Sequence, residues 1–129
     1  MNCNLHHVHL FASDLEVSVR FYCDMFDAEI VHDGIVAGVR NLLIRIGTGH
    51  INFYDQPPRD VERSAMHHLG IYTDDIFTLV AHMKSKGFEF RTPIRDFADL
   101  KYIMLEGPDR VLIEVFETKS PWYTDFAPK

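Results

Sequence analysis

The chain repeats itself, and that repeat constrains its fold more than any single motif. His7-Val8-His9-Leu10-Phe11-Ala12-Ser13-Asp14-Leu15 aligns with His68-Leu69-Gly70-Ile71-Tyr72-Thr73-Asp74-Asp75-Ile76 at an offset of 61 residues. His7 matches His68, Asp14 matches Asp75, and Leu15 matches Ile76. Two such copies must be two supersecondary units of one architecture. Each copy starts as a short strand, passes through a polar helix start and continues as a helix.

The helix starts have a physical basis. Ser13 with Glu16 three residues later reads as a capping box, and Asp14 adds negative charge where the helix dipole favours it. Leu15, Val19, Tyr22 and Phe26 recur at helical spacing, which predicts a first helix ending near Phe26. In the second copy Thr73 or Asp74 is the expected cap, with Ile76, Leu79, Val80 and Met83 as the apolar face. Lys86-Gly87 is a helix stop, a cation at the C-terminal end followed by a residue free to take positive φ.

After each helix the pattern turns to strands. In the first copy Glu29 to His32, Gly38 to Ile46 and His50 to Tyr54 are predicted, with Gly34, Gly47 and Gly49 marking turns. In the second, Phe88 to Arg91, Lys101 to Leu105 and Val111 to Phe116 follow, with Gly107-Pro108-Asp109 as a turn. Gln56-Pro57-Pro58-Arg59-Asp60 cannot continue a strand and reads as a linker. The predicted organisation is a single domain of two βαβββ modules, about 5–55 and 66–117. A linker at 56–65 joins them, and an irregular tail spans 118–129. Pro121, Trp122 and Tyr123 in that tail are expected to pack on the body or on a partner subunit.

Bulk composition narrows the function classes. The 129 residues are 47% hydrophobic and 25% charged, the balance of a globular domain with a real core. The formal net charge is −6 and no basic stripe is present, which argues against nucleic acid and anionic membranes as partners. No apolar run approaches a membrane span, and the N-terminus lacks a secretory signal pattern. Cys3 and Cys23, without C-x-x-C spacing, read as free thiols of a cytoplasmic protein.

Side chains alternate faces along a strand, so parity sorts the candidate site residues. Val8 and Leu10 share one face of the first strand, and His7, His9 and Phe11 share the other. Leu69 and Ile71 oppose His68, Gly70 and Tyr72. In the last strand Ile113 and Val115 oppose Leu112, Glu114 and Phe116. One face is therefore aliphatic, and the other carries His, Glu and aromatics suited to a cavity. Glu114 is the informative residue, because a carboxylate in an apolar strand is costly unless paired or metal-bound. His7 and His68, at equivalent repeat positions, are the partners it needs. Two imidazoles and a carboxylate suit one divalent ion (Zn, Ni, Fe(II), Mn or Co) and leave open positions for water and substrate. His9 and His50 face the same cavity by parity, whereas His6, His32, His67 and His82 read as ordinary histidines.

These residues resemble the vicinal oxygen chelate superfamily, which includes glyoxalase I, methylmalonyl-CoA epimerase, fosfomycin- and bleomycin-resistance proteins and extradiol dioxygenases. The matching stretches are His7-x-x-Leu10-x-x-x-Asp14-Leu15 with Phe21-Tyr22, His68 to Asp75, and Gly107-Pro108-Asp109 leading to Leu112-Ile113-Glu114. The resemblance implies an α+β fold of two tandem βαβββ modules whose mixed sheets curl around a shared metal-binding cavity. It also implies a homodimer. It carries the ligand positions onto His7, Asn52, His68 and Glu114. Asn52 departs from the glyoxalase I pattern, which has Glu there, and an amide cannot take a proton. Arg110 replaces the usual Gly after Pro-Asp, so that turn must differ or carry strain.

The activity implied is that of a metal-dependent lyase or isomerase. It would chelate two vicinal oxygens of a small substrate and stabilise an enediolate. Glu114, His9 and Asn52 are the candidate catalytic groups, with His50 and Asp33 as further candidates for the base. Asn52, His50, Tyr54, Tyr72, Phe11, Met104 and Phe116 are the expected substrate-binding residues. Two alternatives remain: an Fe(II)-dependent extradiol-type dioxygenase using the same triad, and a non-catalytic binder of the resistance type.

Overall fold

The computed structural model describes residues 6–36, 38–58, 66 and 68–119. His67, most of the expected linker and Pro121, Trp122 and Tyr123 lie outside the described residues. The chain divides into two compact units, Met1–Ser64 and Ala65–Lys129. The first contains β1 (His7–Phe11), α1 (Leu15–Phe26), β2 (Glu29–Val36), β3 (Val39–Ile46) and β4 (Gly49–Tyr54). The second contains β5 (Leu69–Tyr72), α2 (Ile76–Ser85), β6 (Arg95–Asp96), β7 (Leu100–Glu106) and β8 (Leu112–Thr118). Both units are βαβββ, and the fold is α+β.

The two sheets have the same topology. The first has strand order β1-β4-β3-β2, and the second has β5-β8-β7-β6. In each, the first strand runs parallel to the last and the remaining pairs are antiparallel. Each sheet is therefore mixed, four-stranded and open.

Each helix begins at an aspartate. The Asp14 side chain accepts from the backbone N–H of Val17 at 3.2 Å, and that of Asp75 accepts from Thr78 at 3.0 Å. These are the N-caps, in place of the expected Ser13 and of Thr73 or Asp74. Asp14 and Asp75 are the repeat-matched pair, so the repeat marked the caps better than the capping-box pattern did. Thr73 has a supporting role, its hydroxyl accepting from the Asp75 N–H at 3.3 Å. The Lys86-Gly87 stop holds: α2 ends at Ser85, Lys86 is its C-cap, and Gly87 has φ 91°.

Two strand expectations are corrected. Phe88 to Arg91 forms no strand, and the short β6 at Arg95–Asp96 takes that place in the sheet. Phe88 and Phe90 instead face each other edge-on with ring centres 4.9 Å apart. Gly34 is not a turn but lies within β2. A Cβ there would meet the His32 ring at 2.9 Å, so close side-chain approach accounts for the glycine. The real turns of the first unit fall at Gly38 (φ 80°) and Gly47 (φ 57°).

Each unit has its own core on one sheet face. In the first, Leu10, Leu42, Ile44, Ile51 and Phe53 of the strands are buried, as are Leu15, Val19 and Tyr22 of α1. The Tyr22 and Phe53 rings lie 5.7 Å apart across the helix–sheet contact. In the second, Ile103, Leu105, Ile113 and Val115 are buried together with Ile76, Val80 and Met83 of α2. Full burial of each such side chain is worth about 1.5–3 kcal/mol. Among the described residues no helix is long and apolar enough to cross a membrane.

Candidate metal centre

Strand register places the candidate residues on the sheet face opposite each core. In the first unit His7 pairs with His50, His9 with Asn52 and Phe11 with Tyr54. β3 adds Leu43 beside Asn52 and Asn41 beside Tyr54. In the second unit Gly70 pairs with Glu114, and Tyr72 with Phe116. β7 adds Met104 beside Glu114 and Tyr102 beside Phe116. His68 immediately precedes β5, two residues before the partner of Glu114.

The two units match in the register of their first and last strands. His9 stands to Asn52 as Gly70 stands to Glu114, and His7 stands to His68 by the repeat. Asn52 and Glu114 are thus equivalent sites on equivalent strands. At Gly70 an added Cβ would come to 3.4 Å from the Phe116 ring, so the missing side chain leaves the sheet low next to Glu114. Glu114 is half-buried, and its strand neighbours Ile113 and Val115 are fully buried.

Four imidazoles cluster on the first sheet. The His6 and His50 rings stack with centres 4.5 Å apart, and His6 Nδ1 lies 2.9 Å from His7 Nδ1. His7 and His9 are 6.0 Å apart, edge to face. His9 packs against Tyr54 with ring centres at 3.7 Å. His9 is exposed on the strand, and partial desolvation, with a smaller electrostatic contribution from neighbouring His7, lowers its imidazole pKa. His9 is therefore biased toward the neutral form that can accept a proton.

Asp33 sits elsewhere. Arg40 donates to both of its carboxylate oxygens at 3.0 Å, and this pairing lowers the Asp33 pKa. A carboxylate so stabilised in its charged form is a weak base. Asn41 and Tyr102 were not foreseen as members of the cavity faces. Asn41 is buried, donates to the Val39 carbonyl at 3.1 Å and accepts from Asn52 Nδ2 at 3.0 Å. The signal for it was an amide directly before the apolar run Leu42-Leu43-Ile44.

Among the described residues no three His, Cys, Asp or Glu side chains are gathered into a metal-holding group. What each unit shows is a matched register on its own sheet: His7 lies two residues before His9, the partner of Asn52, and His68 lies two residues before Gly70, the partner of Glu114. The chemistry of this donor set fits a divalent ion, since two imidazole nitrogens and a carboxylate match the borderline first-row metals.

Comparison with known proteins gives the same architecture. A curated relative, the uncharacterized protein YaeR of Escherichia coli (strain K12), is 25% identical over 123 residues, covering 88% of this chain and 95% of YaeR. A glyoxylase/bleomycin resistance protein/dioxygenase domain from Frankia sp. EAN1pec superposes with a TM-score of 0.75 at 18% identity. That match covers 92% of this chain and all of the other. A variant of the fosfomycin resistance protein FosX from Listeria monocytogenes, complexed with Mn(II) and 1S,2S-dihydroxypropylphosphonic acid, superposes with a TM-score of 0.67 at 20% identity. It is matched over 89% of this chain and 92% of FosX. These structural likenesses speak to fold. The family model covers residues 4–115, nearly the whole paired βαβββ pattern, and by that match the chain belongs to the Glyoxalase/Bleomycin resistance protein/Dioxygenase superfamily.

Proposed function

We propose that this protein is a metal-dependent enzyme of lyase or isomerase type that acts on a small molecule carrying two vicinal oxygens. The observation that supports it best is the matched register of Asn52 and Glu114 on the non-core faces, with His7 in the first strand of one unit and His68 immediately before the first strand of the other. His7, His68 and Glu114 would hold the ion. When bound, it would take two oxygens of the substrate and supply the positive charge that stabilises an enediolate.

The chain's own residues have separable tasks. Glu114 balances the positive charge and stands beside Met104. His9, paired in register with Asn52, is the proton acceptor this reading favours over Asp33, whose two oxygens are taken by Arg40. Asn52 presents an amide and takes no proton. Tyr54, Phe11 and His50 on one sheet, and Tyr72, Phe116 and Met104 on the other, would shape the substrate's surroundings. The Mn(II) and dihydroxy acid bound by the FosX variant point to the same ligand chemistry.

The test is elemental analysis and Mn(II) titration of the purified full chain. Wild type is expected to bind one ion per chain. His7→Ala, His68→Ala and Glu114→Ala should each weaken binding by more than the ~10–100-fold that loss of an outer-shell partner costs. Variants that hold as much metal as wild type would overturn the assignment.

A further inference from the structure

Asn41 and Asn52 form a polar pair whose orientation has only one solution. Asn41 is 7% exposed and flanked on β3 by buried Leu42. A primary amide in such a place is costly unless its donors and acceptor are used. The Val39 carbonyl can only accept, so the Asn41 atom facing it at 3.1 Å is the nitrogen. Asn41 therefore turns its oxygen to Asn52, and the Asn52 atom that meets it at 3.0 Å is Nδ2. The backbone carbonyl thus fixes both amides.

The consequence falls on position 52. A carboxylate has two equivalent oxygens and needs no orientation. An amide has one end that donates a lone pair and one that repels a cation. With Nδ2 committed to Asn41, the Asn52 oxygen is the atom left for the face it shares with His7 and His9. We infer that Asn41 is a positioning residue that holds Asn52 with its amide oxygen, and not its NH2 group, turned to a bound divalent cation. This rests on the metal reading above. Position 52 then acts as a neutral oxygen donor, and a flipped amide would oppose binding.

Two variants separate positioning from general stability. Asn41→Leu removes the acceptor. Asn41→Asp keeps an oxygen for Asn52 while losing the bond to Val39. Both should lower the melting temperature. In the metal-free full chain, the Asn52 side-chain amide should give a hydrogen-bonded, exchange-protected NMR signal. It should survive in Asn41→Asp and be lost in Asn41→Leu. In Mn(II) titrations Asn41→Leu should bind about 10–100-fold more weakly than wild type, with affinity recovered in Asn41→Asp. The inference is overturned if Asn41→Leu binds Mn(II) like wild type, or if both variants weaken together in step with their melting temperatures. It is also overturned if the wild-type Asn52 amide is unprotected. A wild-type chain that takes up no Mn(II) sinks the metal reading as well, a different result from failure of the variants alone.

Discussion

Arg110 shows how a single residue can be legible in type and illegible in conformation. Pro108 begins a 3₁₀ turn ahead of β8, and both Asp109 (φ 58°) and Arg110 (φ 61°) occupy the left-handed region. The sequence announces a turn, and resemblance to relatives with Gly in that position announces a conflict. The structure keeps the glycine-like backbone and places an exposed arginine on it. A non-glycine residue there costs roughly 1–2 kcal/mol, while glycine adds roughly 0.5–1 kcal/mol of unfolded-state entropy. Arg110→Gly should therefore stabilise the chain by about 0.5–1 kcal/mol, read as a rise in the denaturation midpoint with unchanged slope. A lower midpoint would show that the arginine makes a contact worth more than the strain. Asn41 was missed for the opposite reason. An isolated amide between Arg40 and Leu42 carries no function until strand register sets it near Asn52.

At the scale of elements, the helices depend on their caps and on one buried-edge carboxylate. Asp14→Ala should remove about 1 kcal/mol by leaving an N-terminal N–H without its acceptor. Asp75 offers a pH signature. Hydrogen bonds from Thr78 and then Phe77 hold its pKa below the ordinary 3.8. A depressed carboxylate contributes stability fully above the unfolded value and loses it as pH falls through the lower folded value. The gap in melting temperature between wild type and Asp75→Asn should therefore be constant near neutrality and shrink below about pH 4. A gap that widens in acid would contradict the cap. Glu117 docks α2 onto its sheet, accepting from the Ile76 N–H at 3.0 Å and from Lys101 Nζ at 3.3 Å. Only about a fifth of each charged side chain is exposed, so Glu117→Ala should cost about 1–2 kcal/mol in chemical denaturation. Element type and order were readable because hydrophobic period changes sharply between helix and strand. The short β6 was not, because two exposed residues carry no period, and the aromatic pair Phe88 and Phe90 imitates a strand.

At the scale of the whole chain, the repeat has a thermodynamic consequence that no single unit has. Each unit carries its own core, yet the proposed ligands are divided: His7 belongs to the first, His68 and Glu114 to the second. An ion that binds only the native state stabilises by mass action, by about 2.7 kcal/mol at a hundred times its dissociation constant. For a chain of this length that corresponds to a rise in melting temperature on the order of 10 °C. If all three ligands serve one ion, His7→Ala alone must abolish the rise even though it leaves the second unit untouched, and Glu114→Ala must abolish it with the first unit intact. Calorimetry of wild type and both variants, with Mn(II) and then with excess chelator, measures this directly. A shift that survives His7→Ala but not Glu114→Ala would assign the ion to the second unit alone. The first unit's histidine face would then need a separate explanation. Loss of the shift in both variants would mean that residues of two units alike in topology serve one ion.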